Sequence, residues 1–180
     1  MLPFSDIKLF AKANLIIFAY TMKKKISIEY QEFRQATQLA KGDKDLLEKA
    51  IAACESSYSP YSKFKVGVAV LLADGQVITA GNQESVAFPS GLCAERSALY
   101  YIMANYPKIP VVAMAIAAKR GAKLVDSPTR PCGACVQVMM DAQERGGVPI
   151  KVILGGAKKI EIINSINDLL PFSFVNFNEK

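Results

Sequence analysis

The chain has 180 residues, 51% of them hydrophobic, so it is long enough to bury the core of one compact domain. Its net charge of +6 permits nucleic-acid binding without requiring it. The absence of histidine excludes serine–histidine and cysteine–histidine catalysis, and it leaves Glu, Asp, Lys, Tyr or Cys as the general acid or base.

Residues 1–21 differ in character from the rest of the chain. Their apolar run is interrupted by Lys12 and Asn14, so its unbroken part is too short to span a bilayer. A positive leader and a small-residue cleavage site, both typical of a secretory signal, are missing. Met22, which precedes three lysines, has the look of an alternative start. We expect residues 1–21 to be a peripheral N-terminal extension and residues 22–180 to form a single domain.

The first half of that domain predicts one helix and a hairpin. Residues 26–40 alternate in polarity and favour a strand that leads into the fold. Residues 44–57 have helical spacing, and Cys54 lies on their apolar face as a small core residue. A turn at residues 59–62 precedes a buried strand at 66–72, and Asp74-Gly75 predicts a hairpin to an antiparallel strand at 77–81.

The second half alternates helices with strands. Helices are predicted after Cys93 and from Cys132 onwards, and strands at residues 111–117, 150–154 and 160–163. This order predicts an α/β fold of three layers, α/β/α, in which helices cover both faces of a mixed five-stranded sheet.

Three of the four cysteines belong to two short motifs at predicted helix starts, Cys93-Ala94-Glu95-Arg96 and Pro131-Cys132-Gly133-Ala134-Cys135. A helix N-terminus favours a thiolate over a thiol. Three thiolates leave one position of a tetrahedral zinc for water, which is the arrangement of a catalytic site. Glu95 is poorly placed to be a ligand because it lies two residues from Cys93. Cysteines used in this way indicate a reducing compartment.

Four motifs in order resemble those of the small homotetrameric cytidine deaminases. They are the two cysteine motifs, the second extended by Val136-Gln137, together with residues 59–67 (SPYSKFKVG) and Gly81-Asn82-Gln83-Glu84. The resemblance runs from about Leu46 to Phe174. It implies a cytidine deaminase-like fold, Zn²⁺ as cofactor, a homotetramer and a cytoplasmic location. It further implies hydrolysis of cytidine and deoxycytidine to uridine and deoxyuridine, with release of ammonia.

The resemblance also implies a role for individual residues. Cys93, Cys132 and Cys135 would be the zinc ligands, and Glu95 would shuttle protons between the zinc-activated water and the substrate. The base edge would be bound by the backbone at Ala94 and Cys93, and Phe64 would pack on the pyrimidine face. Asn82 and Glu84 would bind the ribose hydroxyls. Phe174 would enter the site from a neighbouring subunit.

The sequence departs from the family pattern at several places. Where the family normally has an arginine after the second ligand pair, this chain has Val136. Arg96 or Arg130 would then neutralise more of the thiolate charge. Ser85-Val86 and Phe88 also differ from the residues usual in the family.

Other interpretations remain open. Cys132 and Cys135 alone are typical of a redox pair, but that leaves no role for the Cys93 motif. A structural zinc knuckle needs a fourth ligand. The substrate could instead be a polynucleotide or a cytosine-containing antibiotic, although Glu84 would repel a 3′ phosphate and so favours a free nucleoside over nucleic acid. A non-catalytic zinc module predicts that Glu95 is dispensable. We expect no nucleic-acid or membrane partner.

Overall fold

The computed structural model describes residues 22–174, and these form three α-helices and seven β-strands. The helices are α1 (Lys41–Ala53), α2 (Ala94–Asn105) and α3 (Gly133–Gly146). The strands are β1 (Gln31–Phe33), β2 (Phe64–Leu72), β3 (Val77–Gly81), β4 (Val111–Arg120), β5 (Lys123–Leu124), β6 (Lys151–Gly155) and β7 (Ile160–Ile163). The predicted peripheral extension, residues 1–21, lies outside the described residues.

The strands form one mixed sheet in the order β1-β7-β6-β4-β2-β3, with β5 paired to the end of β4. β4 and β6 are parallel, and the other pairs are antiparallel. The predicted hairpin is present: β2 and β3 are joined through Asp74-Gly75, and Gly75 has φ = 89°, a value that favours glycine.

Apolar residues are buried on both faces of this sheet, which confirms the three layers. On one face, α1 packs Leu46, Leu47 and Ala50 against the sheet. On the other face, α2 and α3 pack together against the same strands. Cys54 is fully buried on the α1 side, where its thiol donates to the carbonyl oxygens of Ala50 and Ala117. Its assignment to the core is therefore confirmed.

The sheet has two more strands than predicted, so the five-stranded count was wrong. β1 lies within residues 26–40, where a strand was predicted, but it is limited to three residues. β5 was not predicted; it has two residues, too few to show a periodic pattern, and it forms because β4 supplies its hydrogen bonds. Helix α1 also begins at Lys41, before the predicted start, and a 3-10 turn follows it at Cys54–Ser56. No helix among residues 22–174 is both long enough and apolar enough to cross a membrane.

Candidate metal centre and substrate cavity

Two helix N-termini meet at the predicted metal centre. Cys93 is the N-cap residue of α2, and Cys132 is the N-cap residue of α3. Neither cysteine side chain makes a capping hydrogen bond, and Cys135 lies in the first turn of α3. The unpaired N–H groups and partial positive charge of both helices therefore lie beside the three sulfur atoms, where they stabilise thiolates.

The spacing of the three sulfur atoms fits zinc. The Sγ atoms of Cys93 and Cys132 are 4.0 Å apart, those of Cys132 and Cys135 are 3.5 Å apart, and all three lie within 4.8 Å of one another. Zinc–sulfur bonds of about 2.3 Å in a tetrahedral site place the sulfurs about 3.8 Å apart. Cys93, Cys132 and Cys135 could thus hold one zinc ion without rearrangement of the backbone.

One of the three thiols ionises far more easily than a free cysteine. The pKa of Cys93 is lowered to about 5, first because of a hydrogen bond from Cys135 and then because of the Arg96 guanidinium. The same hydrogen bond, together with burial, raises the pKa of Cys135. Nη2 of Arg96 is 4.0 Å from the Cys93 sulfur. Arg96 thus lies beside the thiolates, where a site with three negative ligands needs a cation.

Glu95 is buried next to the sulfur atoms. Only 4% of its surface is exposed, yet it lines the same cavity as Cys93 and Cys132. Burial raises its pKa above the usual range, and the negative charge of Cys93 acts in the same direction. A proton carrier that works near neutral pH needs a shift in this direction.

The cavity has a volume of about 800 Å³ and also contains three of the predicted substrate contacts, Phe64, Asn82 and Glu84. The Asn82 side chain accepts hydrogen bonds from the Ser57 hydroxyl and the Val66 N–H, and it donates one to the Phe64 carbonyl. These bonds fix the plane of its amide group.

Glu84 is held at the cavity wall by the loop that precedes β2. One of its oxygens accepts hydrogen bonds from the backbone N–H groups of Tyr61 and Ser62. A hydrogen bond from Ser62 is also the main reason why the pKa of Glu84 is lowered. Glu84 therefore orders the loop that leads into β2 and Phe64, whatever else it binds.

Two further predicted residues have less direct positions. Ala94 is fully buried in the first turn of α2. Any substrate contact from Ala94 would thus come from its backbone. Phe174 is 64% exposed, and its carbonyl oxygen accepts a hydrogen bond from Gln137 of α3.

The two arginines that were predicted to replace the family's arginine at position 136, Arg96 and Arg130, have different partners in the structure. Val136 is buried in the core between α2, α3 and the sheet. Arg96 lies beside the sulfurs, whereas Arg130 pairs with both carboxylate oxygens of Glu161. Arg130 also lines the cavity. Sequence analysis did not predict that Glu161 is its partner. The signal for Glu161 was present, because a single charged residue interrupts the apolar strand Ile160–Ile163.

Comparisons with known proteins agree with this site. Residues 8–129 match the sequence family described as the cytidine and deoxycytidylate deaminase zinc-binding region, and this match ends just before Cys132. The protein named cytidine deaminase from Halalkalibacterium halodurans is 38% identical over 129 residues, which cover 72% of this chain and 91% of that protein.

Solved structures give the same result. The crystal structure of cytidine deaminase from Burkholderia pseudomallei aligns with a TM-score of 0.60 at 37% identity, covering 72% of this chain and 97% of that one. For cytidine deaminase from Mycobacterium tuberculosis the TM-score is 0.57 at 30% identity, with 73% and 96% covered. With three cysteine sulfurs grouped at two helix N-termini, this chain belongs to the cytidine and deoxycytidylate deaminase family and carries the zinc-binding region of that family.

Proposed function

We propose that the protein is a zinc-dependent deaminase that hydrolyses cytidine and deoxycytidine to uridine and deoxyuridine. Water adds to C4 of the pyrimidine, the bond from C4 to the exocyclic nitrogen breaks, and ammonia leaves. The observation that carries the proposal is the meeting of three cysteine sulfurs and a buried carboxylate in one cavity. The cavity volume of about 800 Å³ is within the range of small-molecule sites.

Cys93, Cys132 and Cys135 would hold the zinc. When bound, zinc supplies Lewis-acid activation of the attacking water, whose pKa falls from about 15.7 toward 7. Glu95 accepts the proton of that water and returns protons to ring N3 and to the leaving amine. Its burial excludes bulk water and keeps the transferred proton within the site.

The other cavity residues orient the nucleoside. Phe64 packs on the face of the pyrimidine, and the backbone at Ala94 binds the base edge. Asn82 and Glu84 bind the ribose hydroxyls. One N–H of the Asn82 amide remains to donate to such a hydroxyl, because only the other N–H has a partner among residues 22–174. The negative charge of Glu84 would repel a 3′ phosphate, so a free nucleoside is favoured over a polynucleotide as the substrate.

Charge balance in the site depends on Arg96. Three thiolates outweigh the charge of one zinc ion, and this reduces the acidity of its water. Arg96 and the two helix N-termini offset that excess. Arg130 contributes less, because its guanidinium is already paired with a carboxylate.

We further propose that residues 22–180 form a single deaminase domain with residues 1–21 as its peripheral extension. The family resemblance and exposed aromatic residues such as Tyr100, Tyr101 and Phe172 support a homotetramer. Three thiols that must stay reduced support a cytoplasmic location. Light scattering of the purified protein should give the mass of four chains, and a monomer would refute the tetramer.

The proposed activity is tested by measuring zinc content together with the loss of cytidine absorbance in the ultraviolet. The wild-type protein should bind one zinc per chain and turn over cytidine but not single-stranded DNA. Glu95→Gln should keep the zinc and the fold while turnover falls by at least about a hundredfold. Unchanged turnover in this variant would remove Glu95 from the mechanism and favour a non-catalytic zinc module.

A further inference from the structure

Two carboxylates are buried among residues 22–174, and the proposed mechanism uses only one of them. The second, Glu161 in β7, is 2% exposed. It lies on the same face of the strand as Ile163, which belongs to the core under α2 and α3. Since a buried charge is costly unless it is paired, its partners indicate its purpose.

The main partner of Glu161 lies two residues before a zinc ligand. Nη2 of Arg130 donates to both carboxylate oxygens at 2.7 and 2.9 Å, and its Nε donates to one of them at 3.2 Å. Such a bidentate pair fixes orientation as well as distance. Lys159 is farther away, at 3.4 Å, and it pairs more closely with Glu32 at 2.7 Å.

The chain segment that leads to Cys132 rests on the turn between β6 and β7. Ala157 and Lys158 donate backbone hydrogen bonds to the carbonyls of Val125 and Asp126. Gly156 passes so close that an added Cβ would stand 2.6 Å from the Asp126 carbonyl oxygen. The ion pair between Arg130 and Glu161 is the last of these attachments before the ligand.

Cys132 needs such an attachment more than the other two cysteines do. It is exposed, whereas Cys135 is buried and Cys93 is partly buried. On its C-terminal side Cys132 is tied to α3, because its carbonyl accepts a hydrogen bond from the Val136 N–H. On its N-terminal side, residues 125–131 lie outside the helices and strands, so no regular hydrogen-bond ladder holds the ligand there.

We propose that Glu161 and Arg130 are positioning residues for the metal centre, and this inference rests on the proposed zinc site. The buried carboxylate anchors the guanidinium, and the guanidinium fixes the backbone of residues 130–132. Fixing that backbone keeps the Cys132 sulfur within reach of zinc. Loss of either partner should therefore speed the release of zinc at temperatures where the protein remains folded.

The test measures the rate of zinc transfer from the loaded, full-length protein to a chromogenic chelator. Glu161→Gln and Arg130→Gln should each release zinc about tenfold faster than the wild type, as is typical when an outer partner of a metal ligand is lost. The double variant should release zinc no faster than the worse single variant, because both substitutions break the same pair. The double variant leaves no charge buried at this place, so it should release zinc faster than the wild type even if either single variant fails to fold.

Two controls separate positioning from general destabilisation. Asp126→Asn removes another ion pair from the same segment, the pair with Lys158. Both side chains of that pair are exposed, Lys158 by 76% and Asp126 by 62%. The substitution should leave the release rate unchanged. Gly67→Ala would press an added methyl group against α1 on the opposite face of the sheet. This variant should lower the unfolding temperature without faster release of zinc below that temperature.

The possible failures are distinguishable. If the wild type holds one zinc per chain and both single variants release it at the wild-type rate, the positioning role is refuted and the zinc site stands. Release rates that multiply in the double variant would refute the coupling of the pair. A wild-type protein that binds no zinc would refute the proposed function itself, and the inference with it.

Discussion

Replacement of Gly67 in β2 by alanine should destabilise the protein. The backbone of β2 passes under the C-terminal end of α1 at this residue. An added Cβ would overlap the carbonyl oxygen of Ala50 and the amide nitrogen of Cys54, and it would stand 2.7 Å from the carbonyl carbon of Ala53. All three atoms belong to the backbone, so no side-chain rotation relieves the overlap, and α1 must move away from the sheet.

The size of the effect follows from this geometry. Overpacking of a core costs about 1–3 kcal/mol, and the upper end applies where only backbone can yield. In a domain of this size each kcal/mol shifts the unfolding temperature by about 2–4 °C, so Gly67→Ala should lower it by about 6–12 °C.

The matched control is the same substitution in α1. An added Cβ at Gly42 meets no atom within 4 Å. Because alanine is favoured over glycine in a helix by about 0.5–1 kcal/mol, Gly42→Ala should raise the unfolding temperature by about 1–4 °C. Thermal unfolding followed by circular dichroism measures both variants. If Gly67→Ala unfolds at the wild-type temperature, the close approach of β2 and α1 is refuted.

Four further predictions concern the cavity, the loop before β2 and the metal. Phe64→Ala should raise KM for cytidine about 5- to 150-fold with little change in kcat, because a base loses about 1–3 kcal/mol of stacking. Lys63 has a left-handed backbone with φ = 55°. Lys63→Gly should therefore raise the free energy of unfolding in denaturant by about 0.5–1 kcal/mol, after allowance for the greater freedom of glycine in the unfolded chain. The lowered pKa of Glu84 means that its contribution to stability is present above its ordinary pKa of 4.5 and is lost as the pH falls through the lower folded value. Glu84→Gln should therefore be less stable than the wild type at pH 7, and the two should converge in acid. Chelation of zinc should lower the unfolding temperature of the wild type and of Glu95→Gln equally, since zinc at about 100 times its Kd contributes about 2.7 kcal/mol.

Each of these predictions has a contrary result. A KM unaffected by Phe64→Ala would place the pyrimidine elsewhere. Lys63→Ala keeps a Cβ and should gain nothing, so an equal gain in both variants would refute backbone strain. A Glu84→Gln variant whose deficit in stability does not change between neutral and acid pH would refute the hydrogen bonds to its carboxylate. No response to chelation would refute a zinc bound in the folded state.

The parts of the site that sequence analysis predicted depend on short stretches of chain. Cys93 and Cys132 were placed at helix starts because helix-forming residues follow them and Pro and Gly lie nearby, and both are N-cap residues in the structure. The hairpin at Asp74-Gly75 was predicted from its turn residues. Local propensity and turn chemistry are sufficient for such features.

The parts that were missed depend on contacts between distant segments. Strand β5 is too short to have a pattern of its own, and the strand predicted within residues 26–40 is limited to the three residues of β1 by its pairing with β7. Helix α1 begins early, despite Gly42, in a first turn where Asp43 forms an ion pair with Lys151 of β6. The pair between Arg130 and Glu161 joins residues 31 positions apart, which no local rule relates.

The short strand β1 has a consequence for how the protein is handled. It pairs with β7, so that Gln31 lies opposite Ile162 and Phe33 opposite Ile160. A protein truncated before residue 41 would expose the backbone N–H and C=O groups of the isoleucine-rich β7. Such a strand is a template for self-association. We therefore expect truncation at residue 41 to give a protein that aggregates, although it would retain every residue of the metal centre.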